Sequence, residues 1–263
     1  MIKRLRNISI GDAFKIFRRG LNTGYCPICE KKTLFFIKAD GLRDNYHCIR
    51  CRSIPRQRAL LQVMQQFFPD WRNLNIHESS PSGATFKKFS SECQGYLPSQ
   101  FFSDIPPGVL YSGHRCEDLA RQTFDDESFD LVITQDVLEH LLNPIQSLKE
   151  ICRTLRPGGT HIFTVPWYSW QDTKIRAIQE DDKVVYLEEP DYHVNPINNE
   201  GSLVVTEWGK DLIDTIYASS GMTTTVIHIH DKQAGIEAKF IEVFVSRKLS
   251  GSMNSLTDRW VRQ

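Results

Sequence analysis

The stretch from Phe129 to Pro166 constrains the fold more than any other part of the sequence. It begins with six mostly apolar residues, Phe129–Thr134, which predict a buried β-strand. Apolar side chains then recur every three or four positions, as in an amphipathic helix, until Pro157-Gly158-Gly159 interrupts the pattern. A second apolar strand, His161–Val165, follows that turn. The stretch therefore predicts a strand–helix–strand unit of a parallel sheet.

Segments on either side extend this unit into a doubly wound α/β fold. A helix from Arg56 and strands at Leu74–Glu78 and Tyr96–Phe101 are expected before it, and a helix at Trp208–Ala218 after it. Two final strands lie close enough in sequence to pair as an antiparallel hairpin at one edge, at Thr224–His230 and Phe240–Ser246. We expect three parts: a basic N-terminal segment with a cysteine module (1–55), the α/β domain (56–248) and a tail (249–263).

Four of the seven cysteines form two CxxC pairs, Cys26/Cys29 and Cys48/Cys51, with 18 residues between them. This spacing is typical of a zinc ribbon, in which two tight turns supply four thiolates to one tetrahedral ion. Since four thiolates leave no position for water, a zinc ion here would be structural. The competing interpretation is four free thiols in a small domain.

Composition indicates a globular chain, with 40% hydrophobic and 24% charged residues among 263. No run approaches the ~18 apolar residues that a membrane span needs, and the N-terminus lacks the apolar stretch of a signal peptide. We therefore expect no transmembrane segment and a cytoplasmic protein. Residues 1–21 are expected to form a basic amphipathic helix.

Charge is segregated along the chain although the formal net charge is zero. Residues 1–58 hold 14 Lys/Arg and 4 Asp/Glu, whereas the remaining residues hold 18 and 28. The basic front indicates either an anionic partner, RNA included, or docking onto the acidic body. Within it, four arginines are candidates for binding a phosphate or carboxylate: Arg50, Arg52, Arg56 and Arg58.

The segment Cys116–Pro166 closely resembles class I S-adenosylmethionine-dependent methyltransferases, in the type 11 branch that includes ubiquinone methyltransferases. The resemblance is carried by CEDLARQTFDDESFD, by FDLVIT followed by VLEH, and by LRPGG before the next strand. It implies a Rossmann-like sheet with S-adenosylmethionine as cofactor. In such enzymes the acid at Asp118 binds the adenine amino group, the backbone of Leu119 lies beside it, and Asp136 lines the cleft.

The glycine loop that normally holds the methionine end of the cofactor is altered in this sequence. The loop spans Glu78 to Gly83 and reads ESSPSG, so one glycine is left and Pro81 removes a donor. The acid expected after the second strand is also missing. Either Glu78, Ser82 and Gly83 hold the cofactor in an altered way, or the domain no longer binds it.

Two histidines are candidates for the chemistry, His140 in the VLEH turn and His193 in the segment after Pro166. On a helix, Asp136, Glu139 and His140 would share one face. Ubiquinone O-methyltransferases and small-RNA terminal methyltransferases, which the sequence resembles, hold a divalent ion at this place. The sequence thus leaves open a metal site, with His193 as a fourth ligand, or a metal-free site in which a histidine acts as the base.

The methyl acceptor is expected to be an oxygen of a small molecule or glycan. The Asn/Asp-Pro-Pro-aromatic motif of enzymes that methylate exocyclic base nitrogens is absent after the FDLVIT strand. An RNA methyltransferase and a zinc-containing binding module with a degenerate methyltransferase fold are the alternatives. Five aromatic residues could stack on a flat or sugar acceptor, or form a core: Trp167, Tyr168, Trp170, Tyr186 and Trp208.

Overall fold

We describe the protein from a computed structural model over residues 20–181, 183–193 and 201–250. The predicted N-terminal helix and the C-terminal tail lie outside these ranges, apart from their inner ends. Between the described termini, the chain forms a small cysteine module, a mixed eight-stranded sheet with helices on both faces, and a set of short strands after the fifth parallel strand.

The cysteine module is a three-stranded antiparallel sheet with one short helix. Its elements are β1 (Leu21–Cys26), β2 (Lys31–Ile37), α1 (Leu42–Asn45) and β3 (Tyr46–Cys48). Arg58, fully buried, joins the module to the main domain: its guanidinium lies over the Phe35 ring and donates to the carbonyls of Tyr46 and Gly235 at 2.8 and 2.7 Å. The module is therefore packed onto the main domain.

The first part of the main domain combines strands and helices. Its elements are α2 (Pro55–Phe67), β4 (Ile76–Ser79), α3 (Gly83–Glu92), β5 (Tyr96–Gln100), β6 (Leu110–Tyr111), β7 (His114–Cys116), β8 (Phe129–Gln135), α4 (Pro144–Thr154) and β9 (Leu155–Thr164). No helix lies between β5 and β8, a segment that the structure describes throughout. The predicted strand at Phe129 is buried on both faces: Leu131 and Ile133 pack towards α2, and Val132 packs towards α4.

The rest of the chain adds short strands and then closes the sheet. These elements are β10 (Trp167–Tyr168), β11 (Lys174–Ile175), β12 (Ala177–Glu180), β13 (Lys183–Tyr186), β14 (Tyr192–His193), β15 (Ser202–Leu203), β16 (Thr206–Gly209), α5 (Leu212–Ser220), β17 (Thr223–Ile227) and β18 (Val243–Arg247). The predicted edge hairpin is confirmed, because β17 and β18 pair antiparallel and β18 pairs antiparallel with β9.

The predicted helix from Trp208 is wrong at its start. Trp208 lies in β16, paired with Trp167 of β10, and its side chain is buried in the core. Gly209 packs so closely on the Gln171–Thr173 backbone that a side chain has no room, and the helix begins only at Leu212. Tertiary packing here overrides the helical spacing of the apolar residues.

The strand order is β17-β18-β9-β8-β4-β5-β7-β6, and β9, β8, β4, β5 and β7 are parallel. The chain runs outwards from β4 through β5 to β7, then returns to β8 on the other side of β4. The order therefore switches between β4 and β8, and in open α/β sheets ligands bind beyond the carboxyl ends of the strands at this point. The Rossmann-like α/β prediction is confirmed.

Candidate functional site

The four module cysteines lie together, with their sulfur atoms all within 4.8 Å of one another. Cys26 and Cys51 are 3.6 Å apart, and Cys29 and Cys48 are 3.9 Å apart. A tetrahedral ion with zinc–sulfur bonds of about 2.3 Å requires sulfur–sulfur distances of roughly 3.8 Å. Cys26 and Cys48 are buried, and Cys29 and Cys51 are half-buried, so the cluster lies within the module.

Asp136 lies just beyond β8, at the switch point, in a left-handed backbone conformation with φ 54°. The guanidinium of Arg43, in the cysteine module, donates hydrogen bonds to both of its carboxylate oxygens, and Arg56 of α2 donates to one of them. Thr164, at the end of β9, donates to it at 2.8 Å. Burial opposes ionisation, but the two arginines hold the pKa of Asp136 well below its ordinary value.

This ion pair alters the predicted metal site. Leu138–His140 forms one 3₁₀ turn, and Asp136 precedes it, so Asp136, Glu139 and His140 do not share the face of an α-helix. Because Arg43 and Arg56 occupy its carboxylate, Asp136 is not placed as a metal ligand. Sequence reasoning missed Arg43, since nothing in the local pattern around it indicates a contact 93 residues away.

Glu139, His140 and His193 form a second group whose ligand atoms lie within 4.8 Å of one another. The Glu139 side chain is 2% exposed, and neither carboxylate oxygen has a hydrogen-bond partner in the described part of the chain. Burial and the nearby Asp136 raise the pKa of Glu139 well above its ordinary value. A buried carboxylate with no donor is the environment that a bound cation would complete.

His140 is oriented for the same purpose. Its Nδ1 lies 2.8 Å from the carbonyl oxygen of Leu203, which can only accept, so Nδ1 carries the proton. The Nε2 lone pair then faces Glu139 Oε1 at 3.8 Å, and the ring of His193 lies 5.2 Å away. A backbone carbonyl that fixes the tautomer in this way is typical of histidine ligands to metals. The segment after His193, to residue 200, lies outside the described residues.

The altered glycine loop runs from the end of β4 into the first turn of α3. Gly83 has φ 68°, and a Cβ there would lie 2.4 Å from the side-chain amide of Gln57 in α2. That amide donates to the carbonyl of Ser82 at 3.3 Å. Gly83 is therefore needed both for its backbone conformation and for the close approach of α2.

Glu78 is buried at the start of this loop. Tyr96 donates to one of its oxygens at 2.5 Å, and Gln135 donates to the other at 2.7 Å. Burial raises the pKa of Glu78 to about 7. Glu78 is thus tied to the neighbouring strands β5 and β8, across the switch point.

Asp118 and Leu119 follow β7, at the same edge of the sheet. Asp118 Oδ1 accepts from the backbone N–H of Ala120 at 2.9 Å, and the side chain is half-buried. Oδ2 has no hydrogen-bond partner in the described ranges and can receive another donor. Leu119 is buried in the core on the α4 side of the sheet.

The four arginines singled out near the second CxxC pair have different roles. Arg58 is structural, since it binds backbone carbonyls inside the fold, and Arg56 binds Asp136. Arg50 donates to the carbonyl of Lys32 at the module surface, and Arg52 lies over the Phe36 ring. These contacts do not gather all four guanidinium groups around one anion.

A family model described as a methyltransferase domain matches residues 103–163, from the approach to β6 to the end of β9. This match confirms the resemblance to S-adenosylmethionine-dependent methyltransferases given by the sequence motifs. It also confirms the expectation that the protein is an enzyme of this class. The comparison with curated proteins found no significant match.

Three solved structures align with most of the chain at low identity. A Mesorhizobium loti S-adenosylmethionine-dependent methyltransferase is 14% identical, with 72% of this chain and 97% of that chain covered and a TM-score of 0.48. The Burkholderia thailandensis 1,6-didemethyltoxoflavin-N1-methyltransferase, bound to S-adenosylhomocysteine, is 15% identical, with 74% of this chain and 79% of that chain covered and a TM-score of 0.47. An amino pentose methyltransferase from Micromonospora echinaspora, bound to S-adenosylmethionine, is 13% identical, with 76% of this chain and 94% of that chain covered and a TM-score of 0.49. These likenesses concern the course of the backbone and bear on no residue role.

Within the described ranges, every helix is too short or too polar to cross a membrane.

Proposed function

We propose that the protein transfers the methyl group of S-adenosylmethionine to a hydroxyl oxygen of a small molecule or glycan. The observation that carries this proposal is the group of Glu139, His140 and His193 next to the switch point. The group could supply a base or hold a cation close to the carboxyl end of β8, at the edge of the sheet where open α/β sheets bind ligands. In the transfer, the sulfur–methyl bond breaks, an oxygen–methyl bond forms, and the hydroxyl proton passes to a base.

The cofactor fits the strand ends on either side of β4. The first turn of α3 at Ser82 and Gly83 offers backbone N–H groups and the positive end of the helix dipole to the methionine carboxylate. Asp118 has one carboxylate oxygen left to accept from the adenine amino group, and the Leu119 backbone lies beside it. Glu78, which accepts hydrogen bonds from Tyr96 and Gln135, lies buried at the start of the loop.

Glu139, His140 and His193 fit a divalent ion. When bound, such an ion would act as a Lewis acid on the acceptor hydroxyl and lower its pKa. Two imidazoles and one carboxylate favour a first-row transition ion over Mg²⁺, which prefers oxygen ligands. Three protein ligands leave positions for an acceptor oxygen.

A metal-free site uses the same residues differently. The unprotonated Nε2 of His140 can then accept the hydroxyl proton directly, and burial, which lowers the pKa of His140, keeps it neutral at pH 7. Which of the two applies is decided by ion binding to the purified protein.

The four module cysteines fit a structural zinc ion. Their sulfur–sulfur distances match a tetrahedron, and in so small a module the free energy of metal binding contributes directly to folding. Arg43 couples this zinc to the active site, because the module that carries Arg43 sets the position of Asp136.

The decisive experiment is a calorimetric titration of the full chain with S-adenosylmethionine and with S-adenosylhomocysteine. We expect binding of both, weaker than is usual for this fold because one glycine of the loop remains. Absence of binding in a folded, zinc-loaded sample would favour the alternative of a binding module. RNA methylation is the other alternative, and the cytoplasmic location stays a prediction.

A further inference from the structure

Three aromatic side chains form a cluster near the carboxyl end of β9, which we call the aromatic shelf: Tyr168, Trp170 and Phe240. Their ring centroids are 5.6 Å apart for Tyr168 and Trp170, 5.0 Å for Tyr168 and Phe240, and 6.0 Å for Trp170 and Phe240. Trp170 is 67% exposed, an unusual position for the largest apolar side chain. By contrast, Trp208 is buried in the core. Of these two tryptophans, which the sequence left as candidates for stacking on an acceptor, only Trp170 is therefore accessible to one.

The shelf lies at the carboxyl end of β9, next to the switch point. Tyr168 belongs to β10, which follows β9 after two residues. Phe240 is anchored through its carbonyl oxygen, which accepts from Arg43 Nε at 2.6 Å, and the same guanidinium grips Asp136. Phe240 also has φ 54°, a conformation rare for an aromatic residue. Strain of this kind persists where the surrounding contacts enforce it, commonly at binding sites.

The tilt of the rings argues against a slot for a flat aromatic ligand. Trp170 meets Tyr168 at 77° and Phe240 at 35°, so the shelf has no pair of parallel faces between which a planar ring would fit. It presents instead one exposed indole above two tilted rings. The face of an aromatic ring is electronegative and attracts polarised C–H groups such as those on one side of a pyranose ring.

Polar side chains beside the shelf suit the hydroxyl groups of a sugar. Glu207 pairs with Arg176, and both side chains are mostly buried. Glu207 lies in β16, the strand whose Gly209 pairs with Tyr168 of β10. Although the two side chains pair with each other, the Nε of Arg176 is buried and has no hydrogen-bond partner in the described ranges, which leaves it as a donor for a sugar hydroxyl.

We infer that the aromatic shelf binds a sugar ring of the acceptor, stacked on Trp170, and that the acceptor is therefore a glycan or glycoside. This inference rests on the proposed methyl transfer and specifies its acceptor. The shelf would hold the sugar by its apolar face. The group of Glu139, His140 and His193 is joined to it through the backbone, because the carbonyl of Glu139 accepts from the N–H of Val205, and β16, which begins at the next residue, pairs with β10. Trp170 is thus a residue for acceptor specificity and has no part in cofactor binding.

The test uses the full chain, saturated with S-adenosylhomocysteine, and saturation-transfer NMR. The probes are methyl glycosides of neutral hexoses, 6-deoxyhexoses and uronic acids, with catechol as a flat aromatic probe. We expect transfer to the C–H protons on one face of at least one glycoside. Trp170→Ala should weaken that binding about ten-fold or more, and Trp170→Phe should retain most of it.

Tyr217→Ala is the matched control, because Tyr217 is an exposed aromatic residue, 49% exposed, on the outer face of α5. The shelf is disproved if no glycoside gives transfer, if Trp170→Ala binds like Tyr217→Ala, or if catechol alone depends on Trp170. Calorimetry with S-adenosylhomocysteine on the same samples separates the two failures. Loss of nucleoside binding would defeat the proposed methyl transfer and the shelf with it, whereas intact nucleoside binding without glycoside binding would defeat the shelf alone.

Discussion

At the scale of single residues, Glu78 combines deep burial with two hydrogen-bond donors, and no cation of the described residues pairs with it. Burial is the dominant effect, so its pKa is raised to about 7. For an acid, a raised folded-state pKa means that the folded protein binds the proton more tightly than the unfolded chain does. The stability that this provides is complete below about pH 4.5 and is lost as the pH rises to about 7.

Glu78→Gln should therefore raise the free energy of unfolding at alkaline pH, because the amide mimics the neutral acid. The shift from 4.5 to about 7 corresponds to an upper limit of about 3 kcal/mol at pH 8.5, with little difference at pH 5. Urea unfolding of both proteins without cofactor, at the two pH values, measures this. A stability difference that does not change with pH would contradict the assignment.

Asp118→Ala should weaken S-adenosylmethionine binding by about 1–3 kcal/mol, because the adenine amino group would lose a buried acceptor. Calorimetric titration gives the difference. Asp125→Ala is the matched control, since Asp125 is exposed and lies in the loop just downstream. Equal affinities of the two variants would show that the adenine ring binds elsewhere.

His140→Ala and His193→Ala should each abolish tight binding of Mn²⁺, with loosely held ions removed and the cysteine-bound metal left in place. The reason is that two ligands do not hold such an ion as three do. Electron paramagnetic resonance counts bound Mn²⁺, and His228→Ala serves as control because His228, just after β17, is 70% exposed. If the parent protein binds no Mn²⁺, the metal-free site with His140 as base is the correct one.

At the scale of elements, the cysteine module shows where the sequence predicts structure well. Two CxxC pairs at the spacing of a zinc ribbon predict a four-cysteine cluster, because each tight turn brings two of the sulfur atoms together. The four sulfur atoms do lie within 4.8 Å of one another. The strand β7, which is short and polar, is not predicted. By contrast, β8 is predicted as well as the module, because a strand buried on both faces must be apolar along its length. Each of the two predicted features depends on neighbours in sequence.

Contacts between elements are what the sequence does not predict. The bond from Arg43 to Asp136 joins the cysteine module to the end of β8, and the aromatic shelf joins β10 to the segment before β18. His193 meets His140 through two short strands, β14 and β15, that no periodicity distinguishes. Of the two acids in the hypothesised metal site, Glu139 lies with His140 and His193, whereas Asp136 pairs with Arg43 and Arg56.

Removal of the module metal should affect both the module and the cleft. We expect one zinc ion per purified chain, and Cys48→Ser should unfold the module and release Arg43 from Asp136. Elemental analysis and thermal unfolding measure the two effects, with Cys93→Ser as control because Cys93 lies outside the cluster. A folded, freshly purified sample without zinc would rule out the ribbon.

At the scale of the whole molecule, only some of the described basic residues in the front, residues 1–58, form ion pairs with acids of the main domain. Of the front's described cations, Arg43 and Arg56 pair with acids, and Arg58 is buried among carbonyls. A groove of about 1590 Å³ between the module and α3 is lined by further cations. Lys31, Lys32, Arg52 and Lys87 among them form no ion pair with any described residue.

A molecule with zero net charge should therefore still bind a polyanion through this groove. We expect the full chain at pH 7.5 to be retained on a heparin column and to elute as salt is raised, because screening weakens exposed charge pairs. Lys31→Glu with Lys32→Glu should lower the eluting salt concentration markedly. Lys183→Glu with Lys239→Glu makes the same change in net charge at exposed positions outside the groove. Equal shifts in the two double variants would mean that net charge, rather than the groove, governs retention. A groove-specific shift that oligo(U) reproduces in solution, with a steep salt dependence, would favour RNA as the acceptor over a glycan.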